Sequence, residues 1–341
     1  MAAVVLNNIV KTYNKGKVKA VNDVSFEVNE GELFGLIGAD GAGKTSIFRI
    51  LTTLLLPDSG TASVNGSDIV KDYKDIRKNV GYMPGKFSLY QDLSVAENLS
   101  FFATVFNTTV AENYDLVKDI YVQLEPFKTR RAGKLSGGMK QKLALCCALI
   151  HRPAVLFLDE PTTGVDVVSR KEFWEMLKGL KQQGITILVS TPYMDEATLC
   201  ERIALIQNGS IMSIDTPDNI IKQFPDTLFA VRANDMGRLL NALQGNKQIK
   251  SCFSFGDFHH ITFQDYYRPS ANEVIKTLQG SDLFEKSSDY LQVAELVQTL
   301  QEAHFRDIEI KRITPGIEDC FINLMKAPPD LSKGEAKHGR Q

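Results

Sequence analysis

Residues 135–141 read LSGGMKQ, residues 154–166 read AVLFLDEPTTGVD, and both follow GADGAGKT at 38–45. A glycine-rich loop ending in Gly-Lys-Thr opens a phosphate site. Its backbone N–H groups converge on the anion at a helix N-terminus, the lysine adds positive charge, and the hydroxyl can ligate Mg²⁺. That loop alone specifies only the binding of a nucleoside triphosphate. The Ser-Gly-Gly turn is a second phosphate grip at the start of another helix, and it is not expected to reach the first one within its own chain.

This set of motifs resembles the ATP-binding cassette family, in the family's order and approximate spacing, over roughly residues 4–222. In that family two chains sandwich ATP between the phosphate loop of one and the LSGG helix of the other. The resemblance implies an α/β P-loop NTPase cassette: a parallel core sheet, an antiparallel β subdomain and a helical signature subdomain, here followed by a small C-terminal α+β domain. It also implies ATP and Mg²⁺ as cofactors. The implied partners are a transmembrane permease subunit and a second cassette ATPase, either another copy or a different chain. It places the protein at the inner face of the cell membrane.

Elementary numbers set the frame. The chain has 341 residues, 43% hydrophobic, with a formal net charge of −2. That is room for two or three domains and an ample core. The balanced charge gives no global field favouring nucleic acid. The five cysteines show no metal-ligand spacing and read as reduced core thiols of a cytosolic protein. The N-terminus has no leader pattern. The longest apolar runs, such as LALCCALI at 143–150, fall well short of the roughly 20 residues that span a bilayer. Membrane work is therefore expected to pass through a partner.

Along the chain, alternation in 4–10 and 20–28 predicts antiparallel strands leading into the strand LFGLIG at 33–38. SIFRILTTLLL at 46–56 has helical spacing and is predicted to run up to Pro57. Residues 94–150 are mostly helical in pattern. VLFLD at 155–159 and ITILVS at 185–190 are apolar runs suited to buried parallel strands, with a helix over 168–183 between them. The expected domains are 1–225, an accessory α+β domain at 226–326, and a disordered tail at 327–341. Within the accessory domain the pattern predicts strand, helix, two strands, a helix at 271–279, a further strand or irregular stretch, another helix, a strand, and a last helix from 316 to 326.

The phosphate loop assigns Gly38, Ala39, Asp40, Gly41, Ala42, Gly43, Lys44, Thr45 and the adjoining Ser46 to the nucleotide. Asp40 stands where the family more often has Asn. Asp159 ends an apolar strand and suits the carboxylate that holds Mg²⁺ with Thr45; Glu160 suits the general base that orients the attacking water. Lys44 and Glu160 are thus the catalytic candidates. Tyr13, twenty-five residues before Gly38, lies where the family places an aromatic ring on the adenine. Ser136, Gly137 and Gly138 are expected to grip the γ-phosphate of ATP seated on the opposite subunit, Ser136 as an N-cap. Asp166 matches the family's dimer-contact aspartate.

Two expected residues are missing. The family pattern calls for Gln where Gly85 stands in GYMPGKFSLY, and for His where Pro192 stands in ILVSTPYMDEA. Neither replacement has a polar side chain, and proline also lacks an N–H.

The leading functional reading is the ATPase subunit of an exporter-type transporter. FSLYQDLSVAENLSFF at 87–102 resembles the surface that receives the permease. A soluble cassette acting on ribosomes or DNA is the second class; it lacks the tandem cassettes, long coiled coils or basic patch such proteins carry. A third reading is a regulatory half whose ATP closes the dimer while its partner hydrolyses.

Overall fold

The computed structural model describes residues 1–264 and 289–326. By its internal packing the chain divides into two units, one of Met1–Lys222 joined by Ile317–Lys326 and the other of the described residues between Gln223 and Gly316. The helix expected at 271–279 and the tail expected at 327–341 lie outside the described residues.

The first unit opens with an antiparallel sheet of β1 (Ala2–Tyr13), β2 (Val18–Asn29), β4 (Ser59–Val64) and β5 (Ser67–Asp68), in the order β2-β1-β4-β5. The second sheet contains β3 (Leu33–Ile37), β6 (Val80–Met83), β7 (Val155–Asp159), β8 (Thr186–Thr191), β9 (Arg202–Gln207) and β10 (Ser210–Asp215), in the order β10-β9-β3-β8-β7-β6. All of its pairings are parallel except that of β10 with β9. Every residue of β3, β7 and β8 is buried, which is why these strands read as continuous apolar runs instead of alternating. In this register Ile37 pairs with Thr191 and Asp159 with Ser190. The chain therefore leaves β3, β8, β7 and β6 at one sheet edge, where Gly38, Pro192, Glu160 and the segment bearing Gly85 follow. Ligands of parallel α/β sheets bind outside this edge.

The helices of the unit are α1 (Lys44–Leu51), α2 (Tyr73–Asn79), α3 (Val95–Val105), α4 (Tyr114–Tyr121), α5 (Gly137–Leu149), α6 (Val167–Gln182) and α7 (Pro217–Lys222). The helix expected over 46–56 stops at Leu51. Thr53 takes a left-handed backbone (φ 61°), and the N–H groups of Thr53 and Leu54 donate to the Ile50 and Arg49 carbonyls at 3.0 and 2.8 Å. This is a Schellman-type stop with Thr where Gly is usual. Arg77 holds it, donating from Nε and Nη2 to the Thr53 hydroxyl and carbonyl.

The expected boundary near residue 225 needs a correction at the C-terminal side. The last helix, which the sequence reading assigned to the accessory domain, belongs to the first unit. It packs on α7 and on the 3₁₀ turn Met194–Leu199, burying Ile317, Cys320 and Phe321, and the Cys320 thiol lies 3.6 Å from the Ile220 carbonyl. Its sequence carries an apolar face but no signal of which unit that face meets. Phe321→Ala is accordingly expected to destabilise the cassette by about 3 kcal/mol, as for other buried aromatic truncations. Thermal unfolding of the full chain checks this; an unchanged transition would show that the helix adds nothing to the unit.

The second unit contains β11 (Leu228–Arg232), α8 (Met236–Gly245), β12 (Ile249–Phe255), β13 (Phe258–Phe263), α9 (Asp289–Glu302) and β14 (Glu309–Ile313), and the helix Ile317–Lys326 described above is α10. Its antiparallel sheet has the order β12-β13-β11-β14. Among the described residues this is a split β-α-β-β-α-β arrangement, the ferredoxin-like topology. Phe229, Val231 and Ile261 from the sheet pack with Leu239, Leu243, Leu296 and Leu300 from the two helices.

Candidate functional site

The loop 38–45 is a close-packed backbone bowl. A first side-chain carbon at Gly38 would stand 2.2 Å from the Ile206 carbonyl oxygen, and one at Gly43 would stand 2.2 Å from that of Ala20. Gly43 also has a φ of 108°, which only glycine adopts freely, and it is the residue that opens α1. Ala39, Asp40 and Gly41 are exposed at the rim while Ala42 is buried beneath. Thr45 and Ser46 are half-buried in the first turn of α1.

Lys44 is only 3% exposed, and its ammonium lies within the bowl. Nζ donates to the carbonyls of Gly38 and Ala39 at 2.7 and 3.0 Å and pairs with Glu160 Oε1 at 3.2 Å. The sequence-predicted lysine and carboxylate, 116 positions apart, are thus in direct contact. Glu160 has a left-handed backbone (φ 50°), unusual for a non-glycine residue. It is stabilised there by its N–H, which donates to the Ser190 carbonyl at 3.1 Å and to the Ser190 hydroxyl at 3.0 Å. Asp159 is 3% exposed and accepts from the Ser190 hydroxyl at 2.7 Å. A buried carboxylate held by one hydroxyl at the end of β7, and a threonine hydroxyl in the first turn of α1, are hard-oxygen donors of the kind Mg²⁺ takes.

Tyr13 is 37% exposed, and its hydroxyl is 3.1 Å from Ser46 Oγ, so the predicted aromatic ring stands beside the loop helix. The neighbouring residues are tied down by Asp58, which accepts from Lys11 Nζ, the Thr12 N–H and the Thr12 hydroxyl at 2.6–2.7 Å. These donors hold the Asp58 carboxyl at about 2, below its ordinary value. The tether is therefore complete through the neutral range and is lost only as pH falls through about 2. Replacing Tyr13 by Ala is expected to weaken Mg-ATP binding roughly tenfold, from the ~1–3 kcal/mol of an aromatic stack on a base. A nucleotide titration checks this, and equal affinities would remove Tyr13 from the site.

Ser136 caps α5, its hydroxyl accepting from the Met139 N–H at 3.3 Å. Ser136 and Gly137 are exposed, so the turn presents its N–H groups outward. Gly138 is buried against α6, where a side-chain carbon would lie 2.6 Å from Ser169 Oγ. Among the described residues no hydrogen bond or ion pair joins 135–138 to the phosphate loop. Asp166 caps α6 by accepting from the Ser169 N–H at 3.0 Å, a bond that lowers its carboxyl below the ordinary range. Val167 and Val168 beside it are largely exposed.

Gly85 sits on the carboxylate strand: a side-chain carbon there would lie 3.0 Å from the Asp159 carbonyl oxygen and 3.7 Å from Glu160 Cβ. Pro192 directly follows β8. Both missing-residue positions therefore border the site, and neither brings it a polar side chain. His151 does not substitute, since its ring stacks on Phe106 at 3.7 Å and its Nε2 is bonded to the Val80 carbonyl oxygen.

Sequence reasoning overlooked a buried carboxylate in the same region. Glu196, 2% exposed, accepts from Thr191 Oγ1 (2.6 Å), Thr162 Oγ1 (3.1 Å) and Arg170 Nε (3.1 Å). The available signal was the acidic pair in STPYMDEA following a buried strand. The cysteines bear out core thiols for four of five: Cys146, Cys147, Cys200 and Cys320 are buried, and desolvation raises the pKa of each thiol.

Comparison with known proteins agrees with this geometry. Residues 21–163 match the ABC transporter family. The chain is 36% identical over 237 residues to the doxorubicin resistance ATP-binding protein DrrA of Mycobacterium tuberculosis, covering 69% of this chain and 72% of that one. It is 38% identical over 225 residues to the Nod factor export ATP-binding protein I of Burkholderia lata, covering 65% and 73%. It is 34% identical over 330 residues to the probable multidrug ABC transporter ATP-binding protein YbhF of Escherichia coli, covering 95% of this chain but 52% of that protein. The chain thus spans about half the length of that relative. Among solved structures it resembles an ATP binding subunit of an ABC transporter (TM-score 0.59, 28% identity, 65% of this chain and 93% of that chain). It also resembles a dimeric ATP-binding cassette bound to ADP and Pi (TM-score 0.57, 25% identity, 62% and 98%). The fold and the site define a P-loop nucleotide-binding cassette. The chain belongs to the ABC transporter family.

Proposed function

We propose that this chain is the ATP-binding and ATP-hydrolysing subunit of an export system, working at the inner membrane face through a separate membrane permease and pairing with a second cassette. The observation that carries this reading is the division of the site. Lys44 pairs with Glu160 at the phosphate-loop bowl, with Asp159 buried beside Glu160 at the same sheet edge, while the Ser136-capped turn is exposed and has no bond to that bowl. A second phosphate grip with no phosphate of its own requires another cassette to supply one. No described helix is long and apolar enough to cross a membrane. An apolar groove lined by Leu54, Phe87, Leu89, Phe102 and Phe106, with Tyr90 and Phe101 exposed nearby, offers the permease a docking surface. The drug-resistance and Nod-factor-export names of the relatives favour export over import.

Within this reading the chain's residues have distinct tasks. Loop N–H groups from Gly38 to Thr45 and the Lys44 ammonium hold the β- and γ-phosphates. Glu160 orients the attacking water and accepts its proton. Thr45 and Asp159 would hold Mg²⁺, which neutralises phosphate charge when bound. The chain's own site is slow, because the donor normally at 192 and the sensor normally at 85 are absent; a lost donor at developing charge typically costs about 10²–10³ in rate. Reconstitution with the permease tests the whole: ATP-dependent transport supports it, and transport indifferent to this chain's removal would sink it.

A regulatory half, holding ATP while its partner hydrolyses, is favoured by the same two positions. ATPase activity of the purified chain separates the two readings.

A further inference from the structure

The buried carboxylate of Glu196 joins three segments that each bear a part of the candidate site. Thr162 lies two residues after Glu160, Thr191 is the residue before Pro192, and Arg170 lies one turn into α6 after the Asp166 cap. Arg170 is the centre of this junction. Its guanidinium pairs with Glu196 at 3.0 Å and Asp195 at 3.2 Å, and its carbon stands 4.2 Å over the Tyr193 ring. Two carboxylates and an aromatic face thereby hold one side chain, a role that a planar, forked cation fills and a lysine fills only in part. On its other side, α6 holds the signature helix: Ser169 closes on Gly138, and Glu172 accepts from Lys142 of α5 at 2.6 Å. The segment that follows Pro192 is braced from below by α10 as well.

From this geometry we infer that Arg170 is a positioning residue that makes α6 a strut between the segment 191–196 and the LSGG turn. Nucleotide seated in this chain's own bowl moves Glu160 and the end of β8; the strut passes that displacement to Ser136–Gly138, which serve the partner's phosphates. The absence of a polar side chain at 192 makes this route more important, because the segment has no contact of its own at the γ-phosphate position and follows its neighbours instead. Arg170 spends its guanidinium on Glu196, Asp195 and Tyr193 and not on the phosphate loop, so its loss should uncouple the two grips without emptying the first. The inference rests on the nucleotide reading above. Coupling between the two grips is read as a response of one to occupancy of the other.

Hydrogen–deuterium exchange on the full chain supplies that measurement, at a concentration where light scattering shows a monomer, with and without Mg-ATP. Peptides covering 38–52 report binding and peptides covering 131–141 report the signature turn. In the parent, Mg-ATP is expected to change exchange in both. In Arg170→Ala the loop protection should remain while the signature response falls at least about threefold. Arg170→Lys should restore part of it, and it decides the matter by the same criterion if the alanine variant does not fold. A signature response as large in the variants as in the parent overturns the strut, as does a parent whose loop is protected but whose signature is silent. An unprotected loop in the parent would sink the nucleotide assignment itself, and the strut with it.

Discussion

Lys44→Ala is expected to weaken Mg-ATP binding by one to two orders of magnitude. Its ammonium is already inside the loop, 2.7 Å from the Gly38 carbonyl and almost fully buried, so it reaches the bound phosphates without a rearrangement of the backbone. A hydrogen bond to a charged partner contributes about 1.5–3 kcal/mol, and one such contact sets the scale of the loss. The bowl itself should survive, since it is shaped by Gly38 and Gly43 against the Ile206 and Ala20 carbonyls and not by the lysine. The variant also releases Glu160, whose side chain is 23% exposed, from its ion pair with the buried lysine. Equilibrium titration with Mg-ATP, alongside a melting curve to show the fold intact, checks the prediction. Equal affinity in parent and variant would mean that nucleotide is not held by this loop.

The cassette was legible because its elements are written twice. The β7 and β8 strands are uninterrupted apolar runs, and each ends where a motif position follows, so pattern and motif agree on where a buried sheet meets its open edge. The contact between Lys44 and Glu160 follows from that agreement, because both lie at the same edge of one parallel sheet. What stayed hidden depends on contacts that sequence spacing does not encode. Helix α1 ends early because Thr53 accepts a left-handed backbone and Arg77, 24 residues on, secures it. The home of α10 turns on which unit its Phe321 face meets, and an amphipathic helix does not announce its partner. Glu196 reads as surface charge in sequence; only the fold brings Thr162, Thr191 and Arg170 around it. The ferredoxin-like order of the second sheet was likewise out of reach, since alternating short strands fix their pairing through the hairpin β12–β13 and the central position of β11.

Ser136→Arg in the reconstituted transporter should reduce turnover about a hundredfold or more, whereas Glu160→Gln in the same chain should leave most of it. A dimer of cassettes has two composite sites, each made from one chain's phosphate loop and the other's signature. This chain's signature turn is complete: Ser136 caps α5, Gly137 is open, and Gly138 is seated on Ser169. An arginine at 136 removes the cap and places a bulky cation at the grip, so the partner's site loses its second wall. The chain's own site is different. It keeps the Lys44–Glu160 pair and the buried Asp159, but Gly85 packs on the Asp159 carbonyl with no side chain to offer, and Pro192 has neither a polar group nor an N–H. Losing such a donor costs about 10²–10³ in rate, which in the proposed pairing with an unlike cassette would make this the slower of two unequal sites. Removing its base by Glu160→Gln then subtracts little from the total, because the partner's site carries the flux. The measurement is ATP turnover of the two variants in the assembled system at saturating Mg-ATP. If Glu160→Gln alone halts hydrolysis, the flux runs through this chain's own phosphate loop, and Gly85 and Pro192 have been replaced functionally by other groups of the dimer.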